Sequence, residues 1–183
     1  MMKDLVIGLG SNLGDRRENL NEAIRRMASF FGEPVRVSTF IETEPWGFES
    51  GNRFMNGAAL FSVELVELVE GVELVEGVEL VELVELVEGV ELLKKLQGIE
   101  REMGRVRKVE TEGYSDRIID LDILFYGDMV FSSPELTIPH PHLHEREFVL
   151  KPLVEICPGR VHPVLKLTIS DLIGLPAVAN WFG

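Results

Sequence analysis

Asp116-Arg117-Ile118-Ile119-Asp120-Leu121-Asp122-Ile123-Leu124-Phe125 reads as a buried strand, because β-branched and large apolar residues dominate it. Side chains alternate faces along a strand, so Asp120 and Asp122 project from one face, roughly 6–7 Å apart at Cα. Two neighbouring carboxylates repel each other and lose hydration, so a cation, an arginine or hydrogen bonds must compensate. An oxygen-only ligand pair suits Mg²⁺, which binds one or two carboxylates and completes its shell with water and substrate phosphates. Two solvated carboxylates on an open sheet face explain the spacing equally well.

Upstream of this strand, Leu92, Leu96, Ile99 and Met103 define an amphipathic helix that Gly104 ends. Arg105-Val106-Arg107-Lys108 follows, with two alternating arginines that suit an anion or a solvated basic patch. Near the start, residues 5–9 predict a strand and Gly10-Ser11-Asn12-Leu13-Gly14 a turn. Its glycines fit neither a dinucleotide fingerprint nor a P-loop. Asp15 and Glu18 predict a capping box for a helix that Gly32 and Pro34 stop. Residues 35–41 predict a strand, and 42–52 a loop carrying Pro45, Trp46 and Phe48. Residues 54–61 predict the next strand, with Asn56 inside it. A buried amide needs partners, which marks Asn56 for recognition.

Downstream, Gly127-Asp128 is a turn and residues 129–131 a short strand. His140, His142 and His144 alternate as zinc ligands can, but prolines interrupt the run and no further ligand stands nearby. A helix is expected over 146–155 despite Pro152, and a last short helix over 168–173.

The formal net charge is −13, which disfavours nucleic acid. Ten of the glutamates recur at every third position from Glu64 to Glu91, and without them the charge falls to −3. That acidity belongs to a low-complexity repeat of Val-Glu-Leu and Val-Glu-Gly triplets over residues 63–92. A period of three matches neither helix nor strand. The repeat reads as an expansion in a tolerant surface connection, helical if ordered, since Glu and Leu favour helix. The one cysteine, Cys157, excludes an internal disulfide. No apolar run has the length of a membrane span. A monomeric cytoplasmic protein is expected, with no nucleic-acid or membrane partner.

The order strand, helix, strand, strand, helix, strand predicts an α/β (α+β) fold. It is a ferredoxin-like sandwich with a mostly antiparallel sheet and helices packed on one face. It is expected as a single domain over 1–183, interrupted by the repeat.

Several pieces, in this order, resemble the 6-hydroxymethyl-7,8-dihydropterin pyrophosphokinase family of folate biosynthesis. They are Gly10-Ser11-Asn12-Leu13-Gly14, Thr43-Glu44-Pro45-Trp46-Gly47, Phe54-Met55-Asn56, Gln97-Gly98-Ile99-Glu100, Gly104-Arg105-Val106-Arg107-Lys108, residues 117–123, Pro139-His140 and Arg146-Glu147-Phe148. The resemblance implies transfer of the terminal pyrophosphoryl unit of ATP to the pterin hydroxymethyl oxygen, releasing AMP. It implies two Mg²⁺ ions on Asp120 and Asp122, with Arg105 and Arg117 also catalytic. Gln97, Glu100, Arg105, Arg107, Arg117, His140 and Arg146 would meet ATP, and backbone around Ile123 and Thr137 its adenine. Thr43, Pro45, Trp46, Phe54, Asn56 and Phe148 would form the pterin pocket, with Phe54 and Phe148 sandwiching the ring. Another Mg²⁺-dependent phosphoryl or nucleotidyl transferase on this fold, or an interaction protein using the acidic repeat, are the alternatives.

Three positions depart from the family pattern. Asp116 adds negative charge beside Arg117, Pro141 replaces an aromatic, and Glu135 replaces a basic residue. The repeat lengthens the connection into the helix bearing Gln97 and Glu100 by about twenty residues.

Overall fold

The computed structural model describes residues 2–64, 80–105 and 115–175. Among these described residues, seven strands and four helices follow in the order β1 (Lys3–Ser11), α1 (Arg16–Phe31), β2 (Arg36–Val37), β3 (Ile41–Thr43), β4 (Phe54–Val63), α2 (Leu80–Glu102), β5 (Asp120–Tyr126), β6 (Phe131–Ser132), β7 (Thr137–Ile138), α3 (Glu147–Ile156) and α4 (Ile169–Ile173). A single 3₁₀ turn, Leu143–Glu145, precedes α3.

The main sheet is antiparallel at every pairing, with β1 at its centre between β4 and β5. β2 and β3 both pair with β4 on its other side. They are the two halves of the strand expected over 35–41. Ser38 interrupts it, because its hydroxyl rather than a regular ladder meets the Ala58 N–H at 2.9 Å. Counting β2 and β3 as one, the order is that of the expected ferredoxin-like sandwich, with β5 on an edge.

The helices do not share one face. α1 and α2 pack on one side, where Leu20, Met27, Leu92, Leu96 and Ile99 meet Leu5, Ile7, Phe61, Leu121 and Ile123. α3 and α4 cover the other, where Leu150, Leu153, Ile156 and Leu172 meet Val6, Leu60, Leu124 and Phe125. The physical reason lies in the strands. β4 is buried at nine of its ten positions, and a strand with both faces apolar needs a layer on each side.

Element ends shift as well. β1 runs through Gly10 and Ser11, so the turn begins at Asn12. β5 begins only at Asp120, and residues 115–119 lead into it outside the ladder. The Asp15 carboxylate caps α1 by accepting the Glu18 N–H at 3.0 Å. Glu18 does not complete a box; its carboxylate pairs with Arg25 instead. Pro152 sits inside α3, and Arg146 is the N-cap.

The last triplets of the repeat are not a loose surface connection. From Leu80 they form the first turns of α2, and Glu88, Gly89 and Leu92 are buried. Gly89 lets the helix approach β6 and β7, since a methyl group there would come within 3.3 Å of Leu136. The remainder of the repeat, from residue 65 to 79, lies outside the described residues.

Candidate active site

β5 sets Asp122 opposite Gly8 and Asp120 opposite Gly10 of β1. β1 in turn sets Gly8 beside Ala58 and Gly10 beside Asn56 of β4. Two glycines thus separate the carboxylates from Asn56 and leave the floor of the sheet bare. A methyl group on Gly10 would lie 3.1 Å from Asn56 Oδ1, and one on Gly8 3.3 Å from the Leu124 side chain. A cleft stands above this floor. Thr43, Trp46, Phe48, Phe54, Asn56, Arg117, Asp120, Asp122, Arg146 and Phe148 line it, with Glu44 and Val149 at its sides. It opens where the cover given by α3 ends.

Arginine supplies much of the compensation that two carboxylates require. Asp120 Oδ1 accepts from Arg105 Nη1 at 2.6 Å, and Oδ2 lies 3.1 Å from Arg117 Nη1. Glu100, 2% exposed on α2, accepts the Leu121 N–H at 2.9 Å and also pairs with Arg105. It therefore ties α2 to β5 and fixes Arg105 over Asp120. Asp122 accepts no hydrogen bond among the described residues. Burial and the neighbouring charge of Asp120 push its carboxyl up to about 7, against the pull of Arg146 and Arg117. A half-buried carboxylate with no donor among the described residues, beside a second carboxylate, fits an oxygen-preferring divalent cation.

The opposite wall is aromatic. The Arg146 guanidinium lies 4.2 Å from the Trp46 ring centroid and 5.8 Å from that of Phe148, within cation–π range. Arg117 stands 5.4 Å from Phe54, and Phe48 meets Phe54 edge-on with centroids 6.1 Å apart. Asn56 donates to Thr43 Oγ1 at 2.7 Å, which orients the amide at the floor.

Not every expected residue meets in this cleft. Pro45 precedes Trp46 but does not line it. Gln97 is half-buried on α2, one turn before Glu100. Ile123 is buried in the core under α1 and α2. Thr137 and His140 line a second cavity with Pro141, His142, His144 and His162. The His140 N–H donates to Leu124 O at 3.1 Å, which holds it at the outer edge of β5. Burial, then Arg146 and His142, lower its imidazole to about 4. Among the described residues no group of three or more His, Cys, Asp and Glu could hold a metal. Arg107 lies outside the described residues.

Asp116 does not add its charge to the face bearing Asp120. Its Oδ1 accepts from Asn12 Nδ2 at 2.7 Å and Ser50 Oγ at 2.6 Å, and its Oδ2 from Asn52 Nδ2 at 2.9 Å. Glu135 is exposed on the β6–β7 turn. Sequence reading quoted Gly10 and Asn12 only as part of a motif, and gave no role in the cleft to Gly8, Gly10 or this Asn12–Ser50–Asn52 set. The alternation of glycines along β1, matching that of the two aspartates, was the available signal for the first; nothing periodic marks the second.

The chain has known relatives. The family model described as 7,8-dihydro-6-hydroxymethylpterin-pyrophosphokinase matches residues 6–82 and 78–158. A 2-amino-4-hydroxy-6-hydroxymethyldihydropteridine pyrophosphokinase of Porphyromonas gingivalis is 36% identical over 163 residues, covering 88% of this chain and 95% of that protein. The Aquifex aeolicus protein of that name is 32% identical over 172 residues, covering 93% and 90%. In fold, the wild-type HPPK-DHPS crystal structure of Plasmodium falciparum superimposes with a TM-score of 0.64 at 15% identity, over 95% of this chain and 41% of that one. A cleft with paired carboxylates, arginines and an aromatic wall therefore sits in a chain whose sequence matches one family across both halves, and the chain belongs to the 7,8-dihydro-6-hydroxymethylpterin-pyrophosphokinase family.

Proposed function

We infer that this chain transfers the terminal pyrophosphoryl unit of ATP to the hydroxymethyl oxygen of 6-hydroxymethyl-7,8-dihydropterin in folate biosynthesis. The pterin oxygen forms a bond to the β-phosphorus as that atom's bond to the α-phosphate oxygen breaks; AMP leaves with the electrons of the broken bond, and the hydroxyl proton passes to solvent. The observation that carries this reading is the meeting of Asp120, Asp122 and Arg117 with Trp46, Phe54, Asn56 and Phe148 in one cleft. Only a flat acceptor needs the second group, and only a polyphosphate donor needs the first.

ATP is the co-substrate and Mg²⁺ the metal of the family; two ions on Asp120 and Asp122 are our reading. When bound, Mg²⁺ neutralises the triphosphate and clamps its oxygens. The chain's own work is positioning and charge, which phosphoryl transfer chiefly needs. Arg105 and Arg117, with Arg107, His140 and Arg146, are assigned to the phosphates by the family resemblance. Gln97 and the backbone at Ile123 and Thr137 receive the nucleoside, while Glu100 holds Arg105. Phe54 and Phe148 bracket the pterin, and Thr43, Pro45, Trp46 and Asn56 complete its pocket. A single-domain monomer acting in the cytoplasm completes this reading.

The test is AMP release from ATP, with Mg²⁺ and pterin titrated independently. AMP should form only when both are present. ATP cleavage that ignores the pterin would defeat the assignment.

A further inference from the structure

Asp116 stands where three parts of the chain meet. Asn12 follows the end of β1, and it is 3% exposed. It clamps the backbone of Arg117 from both sides: its N–H donates to Arg117 O at 3.1 Å, and its Oδ1 accepts the Arg117 N–H at 2.7 Å. Its side-chain NH₂ donates to Asp116 at 2.7 Å and, at 3.5 Å, to the Asn52 carbonyl. From the other direction, Ser50 and Asn52 reach the same carboxylate from the loop between β3 and β4. That loop carries Trp46 and Phe48, both of which line the cleft.

We propose that Asp116 is a positioning residue, a latch that holds the aromatic loop of the acceptor pocket in register with Arg117 and so fixes the pocket before the acceptor arrives. The proposal rests on the pyrophosphokinase reading only for the identity of that acceptor. Three donors converge on one carboxylate, and hydrogen bonds to an ionised acceptor are the strong ones. Ser50, Asn12 and Asn52 hold the Asp116 carboxyl below the usual carboxylate range, so it stays ionised at neutral pH. An asparagine here would keep the shape but turn an NH₂ toward donors, which cannot accept from them. Without the latch, the loop must be ordered at the expense of binding free energy, a cost that appears in KM rather than in the chemical step.

The experiment compares Asp116→Ala, Asp116→Asn, Ser50→Ala/Asn52→Ala and the triple variant in the full chain. KM for the pterin should rise about tenfold, with kcat within about twofold of the parent. The triple variant should fall well short of the sum of Asp116→Ala and the double variant, because Ser50 and Asn52 both donate to that carboxylate; a small excess over Asp116→Ala reflects the Ser50 hydroxyl, which also accepts the Asn52 N–H at 3.1 Å. A second readout needs no turnover. Arg53, at the end of the loop, is exposed, and tryptic cleavage after it should quicken several-fold in Asp116→Ala under native conditions. Additive effects, or an unchanged KM with unchanged cleavage, overturn the latch. A parent enzyme without pterin-dependent AMP release overturns the functional reading instead, and the cleavage comparison then decides the latch alone.

Discussion

Tyr126 of β5 donates its hydroxyl to Glu88 of α2 at 3.0 Å. Lys3 of β1 reaches the same carboxylate at 2.8 Å and stands 5.0 Å from the Tyr126 ring centroid. One glutamate of a repetitive series is thereby singled out, and through it the N-terminal part of α2 is registered on the sheet. Burial and the Glu88 charge push the Tyr126 hydroxyl upward, so it remains a donor.

Glu88→Ala should therefore cost about 1–3 kcal/mol, because it leaves the buried Tyr126 hydroxyl without its acceptor and Lys3 with only Glu85, 3.7 Å away. Glu91→Ala, which breaks only the surface pair with Lys94, should change stability by less than about 0.5 kcal/mol. Urea unfolding of both variants measures the difference, and equal costs would remove Glu88 from this role.

Residues 63–74 and 81–92 are identical in sequence. Deleting residues 63–80 therefore lets Val81 stand in for Val63, and Glu88 keeps its place. Val63 pairs with Lys3 in the sheet, and Lys3 touches Glu88, so the gap to bridge is short. The six residues left span up to about 20 Å. The shortened chain should keep its kcat/KM within about twofold and its stability within about 1 kcal/mol. A partner lost on this deletion would instead favour an interaction role for the repeat. A cut reaching Glu88 would enter the core and tell nothing about the repeat.

Asp122→Asn should lower Mg²⁺-dependent turnover by about two to three orders of magnitude. In the metal-free protein it should also raise the melting temperature, since it removes one of two neighbouring charges held in a buried place. Calorimetry without Mg²⁺ and AMP assays with it make the paired measurement. Lost turnover together with lost stability would mean that Asp122 is structural.

Gly10→Ala should lower kcat/KM for the pterin by about tenfold or more, chiefly through KM. The added methyl meets Asn56 Oδ1 at 3.1 Å on the cleft side of the sheet. Full activity in a stable Gly10→Ala protein would show that the floor need not be bare.

His162, 5% exposed, packs edge-on against Phe125, and burial lowers its imidazole to about 4. Its Nδ1 accepts from the N–H groups of Val164 and Leu165, each at 3.2 Å. The unfolded chain takes up this proton near pH 6.5 and the folded one only near 4, so this stability is complete above 6.5 and is lost as pH falls toward 4. His140 acts in the same sense. NMR titration should give His162 a midpoint near 4, with stability falling by about 1–3 kcal/mol across the window; a midpoint above 6 contradicts the burial argument.

The sheet and its strand order were legible because β1, β4 and β5 announce themselves by short, largely apolar runs. The two-sided burial was legible too, in the near-continuous apolar residues of β4, but a ferredoxin-like pattern of helices draws attention to one face. The aspartate pair could be placed on a common face by period alone. What gives the pair its surroundings could not: Arg105 arrives from beyond α2 and Arg117 from an irregular lead-in, and neither position follows from local periodicity. The same holds for Asp116, whose charge suggested interference with phosphate, while its three partners lie 64, 66 and 104 residues away. In the repeat, every triplet looks alike until Lys3, Tyr126 and Leu136 select one of them by contact.

The bare floor under the cleft has a bearing on inhibition. A compound that rests on the main chain at Gly8 and Gly10 touches no side chain there that a mutation can trim away. Escape requires adding an atom instead, and at Gly10 that atom crowds Asn56, which the proposed function assigns to the pterin. Resistance arising at that surface would carry its own loss of catalysis, which makes the glycine pair a more durable anchor for a ligand than the aromatic wall opposite.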